Sequence, residues 1–194
     1  MNALSLNKEE ALLLIIDIQE KLVPTMDAQR LSKVVSQVGL LSLYAAKEGV
    51  PVVMTEQYPK GLGTTIPSVM KHIQNLNYDY FDKTSFGCVG DEAFIKTLEE
   101  KYAGKKIIVT GMETHICVYL TALGLKEKGF DVFVPQDAVI AHDNELHDNG
   151  LQLMDKAGVV ITNSESLVFQ LMGCSGGGTF KAVSGYLKAQ SFNC

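Results

Sequence analysis

The sequence predicts an α/β fold, a three-layer α/β/α sandwich built on a doubly wound, mainly parallel, Rossmann-like sheet. Short apolar runs rich in Val and Ile alternate along the chain with longer segments of helical periodicity. The runs carry no polar face, which is typical of parallel strands that helices cover on both sides. Repeated β-α-β units with right-handed crossovers then produce a doubly wound sheet.

Five apolar runs are predicted to form the strands. The first, LLLII, ends directly before Asp17 and is apolar at every position, so both of its faces are expected to be buried. The five runs are residues 12–16, 50–55, 107–110, 132–134 and 159–162.

Four segments have the spacing of amphipathic helices. In the first, Leu31, Val34, Val38, Leu41 and Ala45 recur every three or four residues and form one apolar stripe. A glycine follows each segment and favours a helix end there. The four helices are predicted at residues 31–48, 92–102, 116–128 and 144–156.

Two segments do not fit this alternation. Residues 57–86 contain Pro59, Gly61, Gly63 and Pro67, with one modest helical stretch at residues 66–73. Long irregular segments in compact domains often carry function. The tail, residues 173–194, begins with a glycine-rich stretch and is interpreted as an interface arm. Residues 1–194 are otherwise predicted to form a single domain.

Composition limits the classes of partner. Hydrophobic residues make up 46% and charged residues 20% of the 194 residues, as expected of a folded domain. The formal net charge of −5 argues against a nucleic-acid partner. The first apolar run is too short for a secretion signal or a bilayer span, so no membrane partner and a cytoplasmic location are expected.

The cysteines and glycines suggest no cofactor. Cys88, Cys117, Cys174 and Cys194 form no C-x-x-C pair, so neither a zinc site nor a thioredoxin-type motif is indicated. Free thiols are expected in a reducing compartment. No G-x-G-x-x-G follows a strand, and residues 173–178 lack the Gly-Lys-Ser/Thr of a phosphate loop.

Three residues are candidates for chemistry at the carboxyl edge of the sheet, where ligands of open α/β sheets bind. Asp17 directly follows the first strand. It is either a partly desolvated base or a turn cap. Cys117 lies at the start of a predicted helix, where backbone N–H groups and the helix dipole favour a thiolate. A buried structural cysteine is the alternative.

Lys83 lies between aromatic residues in FDKTSF. A partly buried ammonium there would lower the pKa of the cysteine and pair with Asp17. For an isolated lysine, an exposed side chain with a snorkelling stem is the more common situation.

At these positions the sequence resembles the isochorismatase-like cysteine hydrolases, over residues 11–169. Five segments in order carry the resemblance, which is specific only as a set. They are LIIDIQ at 14–19, TEQYPKGLG at 55–63, DKTSF at 82–86, GMETHICV at 111–118 and PQDA at 135–138. The 55–63 segment and the ETH of the fourth look most like the isochorismatase-domain-containing branch of that family.

The resemblance implies a catalytic triad of Asp17, Lys83 and Cys117. Cys117 would attack a carbonyl carbon and form a thioester, Asp17 would act as the base, and Lys83 would balance its charge. The resemblance also implies a cis Met112–Glu113 peptide and an oxyanion hole made by the backbone N–H groups of Glu113 and Cys117. The expected substrate is a small amide or related carbonyl compound, and the expected assembly is a homo-oligomer, a dimer or higher.

One departure from the family pattern narrows the expected activity. Nicotinamidases of this family bind a metal through an Asp-x-His motif and a second histidine, whereas only His72 lies between residues 50 and 86 here. No catalytic metal is therefore predicted. Isochorismate hydrolysis itself need not use a cysteine, so the family name does not define the reaction.

Seven residues near these motifs are predicted to contact the substrate, although aromatic and aliphatic residues are more often core. His115 faces either the substrate or a subunit interface, and His142 is expected to be an exposed polar residue. The seven are Gln19, Tyr58, Phe86, Thr114, His115, Ile116 and Tyr119.

Two other functions compete with the hydrolase. One is a non-enzymatic, flavodoxin-like domain with a redox-sensitive Cys117. Ile18-Gln19 after Asp17 argues against a receiver domain, which usually has an acidic pair there. The other is a thiol redox enzyme in which Cys88 approaches Cys117.

Overall fold

Seven strands form one sheet in the computed structural model, which describes residues 4–191. Every pair of neighbouring strands is parallel, and the order is β3-β2-β1-β4-β5-β7, with β6 beside the end of β4. The strands are β1 Ala11–Ile16, β2 Val52–Gln57, β3 Tyr78–Lys83, β4 Lys106–Met112, β5 Val132–Pro135, β6 Val139–Ile140 and β7 Val160–Thr162.

Helices cover both faces of this sheet. The helices are α1 Ala28–Glu48, α2 Pro59–Leu62, α3 Pro67–Ile73, α4 Glu92–Lys101, α5 Tyr119–Glu127, α6 Asn144–Lys156, α7 Ser164–Met172 and α8 Gly177–Ser191. Apolar residues of α1, α3, α7 and α8 form one core with one face of the sheet. Those of α4, α5 and α6 form a second core with the other face. The predicted three-layer fold is confirmed.

The strand order explains where a ligand can bind. The chain moves from β1 through β2 to β3 in one direction and then from β4 through β5 to β7 in the other. The direction changes between β1 and β4, and in doubly wound sheets a crevice opens at that point, beyond the carboxyl ends of the strands. Asp17 follows β1, and the segment that leads to Cys117 follows β4.

The described residues contain elements that the sequence did not predict. β3 lies at the sheet edge and is only partly buried. Its sequence, YDYFDK, therefore mixes aromatic and charged residues and lacks the apolar run of an inner strand. Also unpredicted are the two-residue strand β6 and the helices α7 and α8.

The predicted helix at 116–128 begins differently. Residues Thr114–Val118 form a π-helical turn, and α5 starts only at Tyr119. The Val118 N–H donates to the Glu113 carbonyl and the Tyr119 N–H to the Thr114 carbonyl, five residues back in each case.

The tail contributes a helix to the first core. In α8, Val183 is buried and the Tyr186 hydroxyl donates to the Ser36 carbonyl of α1. The part of the predicted interface arm at residues 177–191 therefore lies against its own chain. Residues 192–194, including Cys194, lie outside the described residues. Within the described range, none of the helices combines the length and apolar character that a membrane span needs.

Candidate active site

Asp17, Lys83 and Cys117 come to the same edge of the sheet. Asp17 follows β1, Lys83 is the last residue of β3, and Cys117 lies five residues beyond the end of β4. Because these strands are parallel, their carboxyl ends lie together although the residues are far apart in the sequence.

The backbone at Asp17 has an unusual conformation. Its φ of 52° lies in the left-handed region, which Asp and Asn tolerate better than other residues with a side chain. Beside it, Gly111 of β4 has a φ of 114°, and a Cβ atom there would lie only 2.0 Å from the Ile16 carbonyl oxygen. Glycine therefore lets β4 pass close to the end of β1.

A buried ion pair joins two of the three residues. Lys83 Nζ lies 2.6 Å from Asp17 Oδ2, and both side chains are essentially inaccessible to solvent. Burial alone would lower the pKa of Lys83, but the Asp17 carboxylate, with smaller contributions from Cys88 and Cys117, holds that pKa above its ordinary value. Lys83 is therefore a buried ammonium, and its exposed alternative is wrong.

Other groups complete the surroundings of the pair. The Thr55 hydroxyl donates to Asp17 Oδ1 at 2.7 Å, and Lys83 Nζ donates to Gln57 Oε1 at 2.7 Å. Lys83 Nζ also donates to the carbonyls of Ser85 and Phe86. The sequence does not single out Thr55 or Gln57, because only the tertiary structure shows that they flank the ion pair.

Cys117 lies in the π-helical turn, almost fully buried at 7% exposure. π-helical turns of this kind often occur at functional sites. Helix α6 packs directly on this turn at Gly150, where a Cβ atom would lie 3.1 Å from the Thr114 carbonyl oxygen and from His115 Cα.

The Cys117 thiol does not have the depressed pKa that its position predicted. Burial and then the Asp17 carboxylate raise the pKa to about 12, although Lys83 acts in the opposite direction. Desolvation penalises the thiolate more than the nearby ammonium favours it. The Cys117 side chain is therefore a thiol at neutral pH.

Cys88 is a second buried thiol near this site. It is fully inaccessible, its Sγ lies 3.9 Å from the Thr55 hydroxyl, and burial raises its pKa to about 11. Because Cys88 is inaccessible to solvent, whereas Cys117 keeps 7% exposure, a substrate cannot reach the Cys88 thiol.

The peptide bond between Met112 and Glu113 is cis. The Glu113 carbonyl accepts hydrogen bonds from the N–H groups of Ile116 and Val118. The use of the Glu113 and Cys117 N–H groups as an oxyanion hole stays a prediction.

Two of the residues that are predicted to contact substrate use their polar groups in hydrogen bonds within the protein. Gln19 is fully buried, donates to the carbonyls of Gln57 and Gly63, and accepts from the Gln57 N–H. Thr114 is also fully buried, and its hydroxyl lies 2.9 Å from Nδ1 of His147. Both side chains make hydrogen bonds within the protein, and their contact with a substrate stays a prediction.

The other five predicted contacts differ in exposure. Tyr58 and Phe86 are exposed at 54% and 61%. Ile116 and Tyr119 are partly buried against the second core, and His115 is partly buried as well. Their contact with a substrate stays a prediction.

A group of polar side chains in and beside the π-helical turn was not predicted from the sequence. Glu113, His115 and His142 bring carboxylate and imidazole ligand atoms within 4.8 Å of one another. His142 is exposed, as predicted, but its Nδ1 lies 2.6 Å from Glu113 Oε2. The E-x-H spacing at 113–115 was the only available signal, because His142 joins from the loop after β6.

Comparison with known proteins agrees with this architecture. Residues 11–166 match the family model described as the isochorismatase domain. The chain belongs to the isochorismatase family. A relative, isochorismatase family protein 1B of Dictyostelium discoideum, is 33% identical over 176 residues, which are 90% of this chain and 84% of the relative. Membership of the isochorismatase family supports a hydrolase-type function.

Solved structures of similar proteins share the fold. A structure of MAR1 ribonuclease from Caenorhabditis elegans has a TM-score of 0.84 at 30% identity and covers 94% of this chain and 91% of that one. The YcaC gene product of Escherichia coli, described as an octameric hydrolase of unknown specificity, has a TM-score of 0.78 at 23% identity. It covers 88% of this chain and 83% of that one, and at this identity it shows the fold alone.

Proposed function

We propose that this isochorismatase family protein is a cysteine hydrolase that acts on a small amide or related carbonyl compound through a thioester on Cys117. The observation that carries the proposal is the buried Lys83–Asp17 ion pair, at 2.6 Å, beside a buried thiol at the point where the strand order reverses. Burying two charges is costly, so such a pair at the carboxyl edge of the sheet suggests a functional role.

The first half of the reaction forms the thioester. Asp17 accepts the proton of the Cys117 thiol while Sγ attacks the carbonyl carbon, since the raised thiol pKa disfavours a free thiolate beforehand. The N–H groups of Glu113 and Cys117 would stabilise the oxyanion. The C–N bond then breaks as Asp17 returns the proton to the leaving nitrogen, and ammonia or an amine departs.

The second half releases the acid. Water attacks the thioester carbon and gives a proton to Asp17. The C–S bond breaks, the acid product leaves, and the proton returns from Asp17 to Cys117. Lys83 stays protonated throughout because its pKa is raised, and its charge offsets that of Asp17 when the carboxylate is ionised.

An amide panel with ammonia detection tests the activity, and intact-protein mass spectrometry tests the mechanism. We expect Cys117→Ala to reduce turnover at least about a thousandfold and to abolish the acyl adduct. Cys174→Ser is the control: it removes an exposed thiol that lies outside the proposed triad, and it should leave turnover and the acyl adduct unchanged. Full turnover by Cys117→Ala would exclude the thioester.

The similarity to the Caenorhabditis elegans ribonuclease suggests a second candidate activity. The net charge of −5 makes RNA a poor ligand, because affinity for nucleic acid depends on cationic contacts to phosphate. We expect no cleavage of a labelled RNA by the metal-depleted or metal-supplemented chain. Cleavage that Cys117→Ala leaves intact would favour the ribonuclease over the amide hydrolase.

A homo-oligomer is proposed on the basis of exposed apolar side chains near the site. Phe86 and Leu120 are 61% and 39% exposed, and Gly87 lies against Leu120, so the two belong to one surface. Light scattering should give a mass above that of one chain, and Phe86→Glu should reduce it. A monomeric parent would contradict the proposal. The cytoplasmic location stays a prediction.

A further inference from the structure

The carboxylate and two imidazoles beside the nucleophile turn have no part in the proposed thiol chemistry. Glu113 and His115 lie four and two residues before Cys117, and His142 lies in the loop between β6 and α6. The candidate ligand atoms all lie within 4.8 Å of one another. In a tetrahedral site with metal–ligand bonds of about 2.1 Å, ligand atoms are about 3.4 Å apart. Small side-chain rotations would therefore close the group around an ion.

Within the group, the Glu113 carboxylate lies against the ring and the backbone N–H of His142. Glu113 Oε2 lies 2.6 Å from His142 Nδ1 and accepts a second hydrogen bond, at 3.0 Å, from the His142 backbone N–H. At a distance of 2.6 Å the carboxylate and the ring share one proton in a hydrogen bond. A metal ion can take the place of that proton.

One ring nitrogen in the group is without a partner. His115 Nδ1 is buried and makes no hydrogen bond to any described residue. A buried polar atom of this kind costs free energy, and a missing ion or water is a common explanation. The two imidazoles lie with their centroids 5.5 Å apart, edge to face, so they can converge on one point.

We propose that Glu113, His115 and His142 form a binding site for one divalent transition-metal ion of the Zn²⁺, Co²⁺ or Ni²⁺ type. Two imidazoles and one carboxylate suit these borderline ions rather than Mg²⁺ or Ca²⁺, which prefer oxygen ligands. Three protein ligands leave a coordination position for water or a substrate oxygen. The site revises the expectation, drawn from the sequence, that the chain binds no metal.

The position of the site gives it access to a substrate. Glu113 is the residue whose N–H is proposed to contact the oxyanion, and His115 is in the same turn as the nucleophile. The ion would therefore lie at the edge of the sheet that also holds Asp17 and Lys83. The ligands are nevertheless distinct from these residues, so metal binding does not depend on the thiol mechanism.

Titration of the untagged, metal-depleted chain with Co²⁺, in a Cys174→Ser/Cys194→Ser background, tests the site. We expect visible absorption bands of a nitrogen- and oxygen-ligated ion that saturate at one equivalent per chain, and displacement by Zn²⁺. His142→Ala should weaken binding at least about tenfold, since even residues that only orient a ligand have effects of that size. Because His142 is exposed, this variant should fold normally.

Two further variants separate the proposed site from metal binding by another histidine or by the Cys117 thiol. His72→Gln changes a histidine outside the group and should bind Co²⁺ like the parent. Cys117→Ala should also bind like the parent, whatever its effect on hydrolysis, so the metal site and the thioester mechanism can fail independently. Absence of the bands, equal binding by His142→Ala and the parent, or a thiolate charge-transfer band that Cys117→Ala removes would each overturn the proposal.

Discussion

At the scale of single residues, opposing electrostatic effects act on Cys117. Burial and the Asp17 carboxylate raise the pKa of the thiol, whereas the Lys83 ammonium lowers it. The net result, a pKa of about 12, keeps the thiol protonated at neutral pH. A protonated thiol reacts slowly with alkylating and oxidising agents, so Cys117 is protected from unselective modification.

Asp17→Asn separates the effect of the carboxylate on the pKa of Cys117 from its proposed role as the base. The substitution removes a negative charge that raises the pKa of Cys117, and Asn tolerates the left-handed backbone at this position. We expect faster alkylation of Cys117 by iodoacetamide at pH 8, and turnover reduced at least about a thousandfold because the base is lost.

The alkylation measurement belongs in the Cys174→Ser/Cys194→Ser background, with circular dichroism to confirm folding. Lys83 keeps its contacts to Gln57, Ser85 and Phe86 in this variant. Slower alkylation than in the parent would show that Asp17 does not raise the pKa of the thiol.

Gln19 illustrates a polar residue whose role is structural. Its amide makes three hydrogen bonds to backbone groups, two at Gln57, where β2 ends, and one at Gly63 after α2. Gln19→Leu leaves these groups without partners and should lower the free energy of unfolding by about 2–4 kcal/mol. Gln152→Leu, on the exposed face of α6, is the matched control and should change it by less than about 0.5 kcal/mol. Urea unfolding measures both.

At the scale of secondary-structure elements, the π-helical turn and α6 together position Cys117. The turn follows β4 directly, and α6 touches its backbone at a residue without a side chain, Gly150. The Thr114–His147 contact joins the same two elements at 2.9 Å. The position of Cys117 therefore depends on a helix that begins 27 residues later in the sequence.

Gly150→Ala should disturb catalysis more than stability. The added methyl group would lie 3.1–3.2 Å from backbone atoms of Thr114 and His115, so the turn or the helix must move by a few tenths of an ångström. The higher helix propensity of alanine, up to about 1 kcal/mol, offsets part of the strain in the unfolding free energy. We expect at least about a tenfold loss of kcat.

Gly185→Ala is the matched control for this substitution. It lies in α8, where a Cβ atom meets no other atom within 4 Å. The thermal midpoint should rise, and kcat should not change. Equal kcat values for Gly150→Ala and the parent would show that packing of α6 does not position Cys117.

At the scale of the whole molecule, two apolar cores hold the sheet from opposite faces. Successive residues of β1 alternate between them: Leu13 and Ile15 belong to one core, and Leu12, Leu14 and Ile16 to the other. The first core also contains a titratable group at its border. His72 of α3 packs edge-on against Tyr186 of α8, with ring centroids 6.3 Å apart.

This packing predicts a dependence of global stability on pH. Burial, and then the charge of Lys71, lower the pKa of His72 below its ordinary value of about 6.5. Below that pH the unfolded chain binds more protons than the native chain, so the free energy of unfolding falls as the pH decreases. Because the ring is partly exposed, we expect a slope of less than about 1 kcal/mol per pH unit.

Urea unfolding between about pH 7.5 and 5.5, above the range in which carboxylates titrate, measures this slope. His72→Gln should flatten it. His147 keeps a residual slope in both proteins, because burial also lowers the pKa of that imidazole. An unchanged slope in His72→Gln would contradict the assignment.

Much of the architecture could be predicted from the chain alone. Inner strands such as β1 are apolar at every position, and α1 carries an apolar stripe followed by Gly49. β3 escaped prediction because an edge strand is covered on fewer sides and keeps polar residues. The start of α5 was misplaced because periodicity does not distinguish a π-helical turn from the first turn of an α-helix.

The alternation of strands and helices could be read from the chain, and it placed Asp17 and Cys117 after two of the predicted strands. Local periodicity and strand ends are properties of short segments, so they can be read without the fold. Only the tertiary structure decided that Lys83 pairs with Asp17, that the Cys117 thiol is protonated at rest, and that His142 meets Glu113 and His115. The physical reason is that pKa values and ligand groups depend on burial and on distances between residues far apart in the chain.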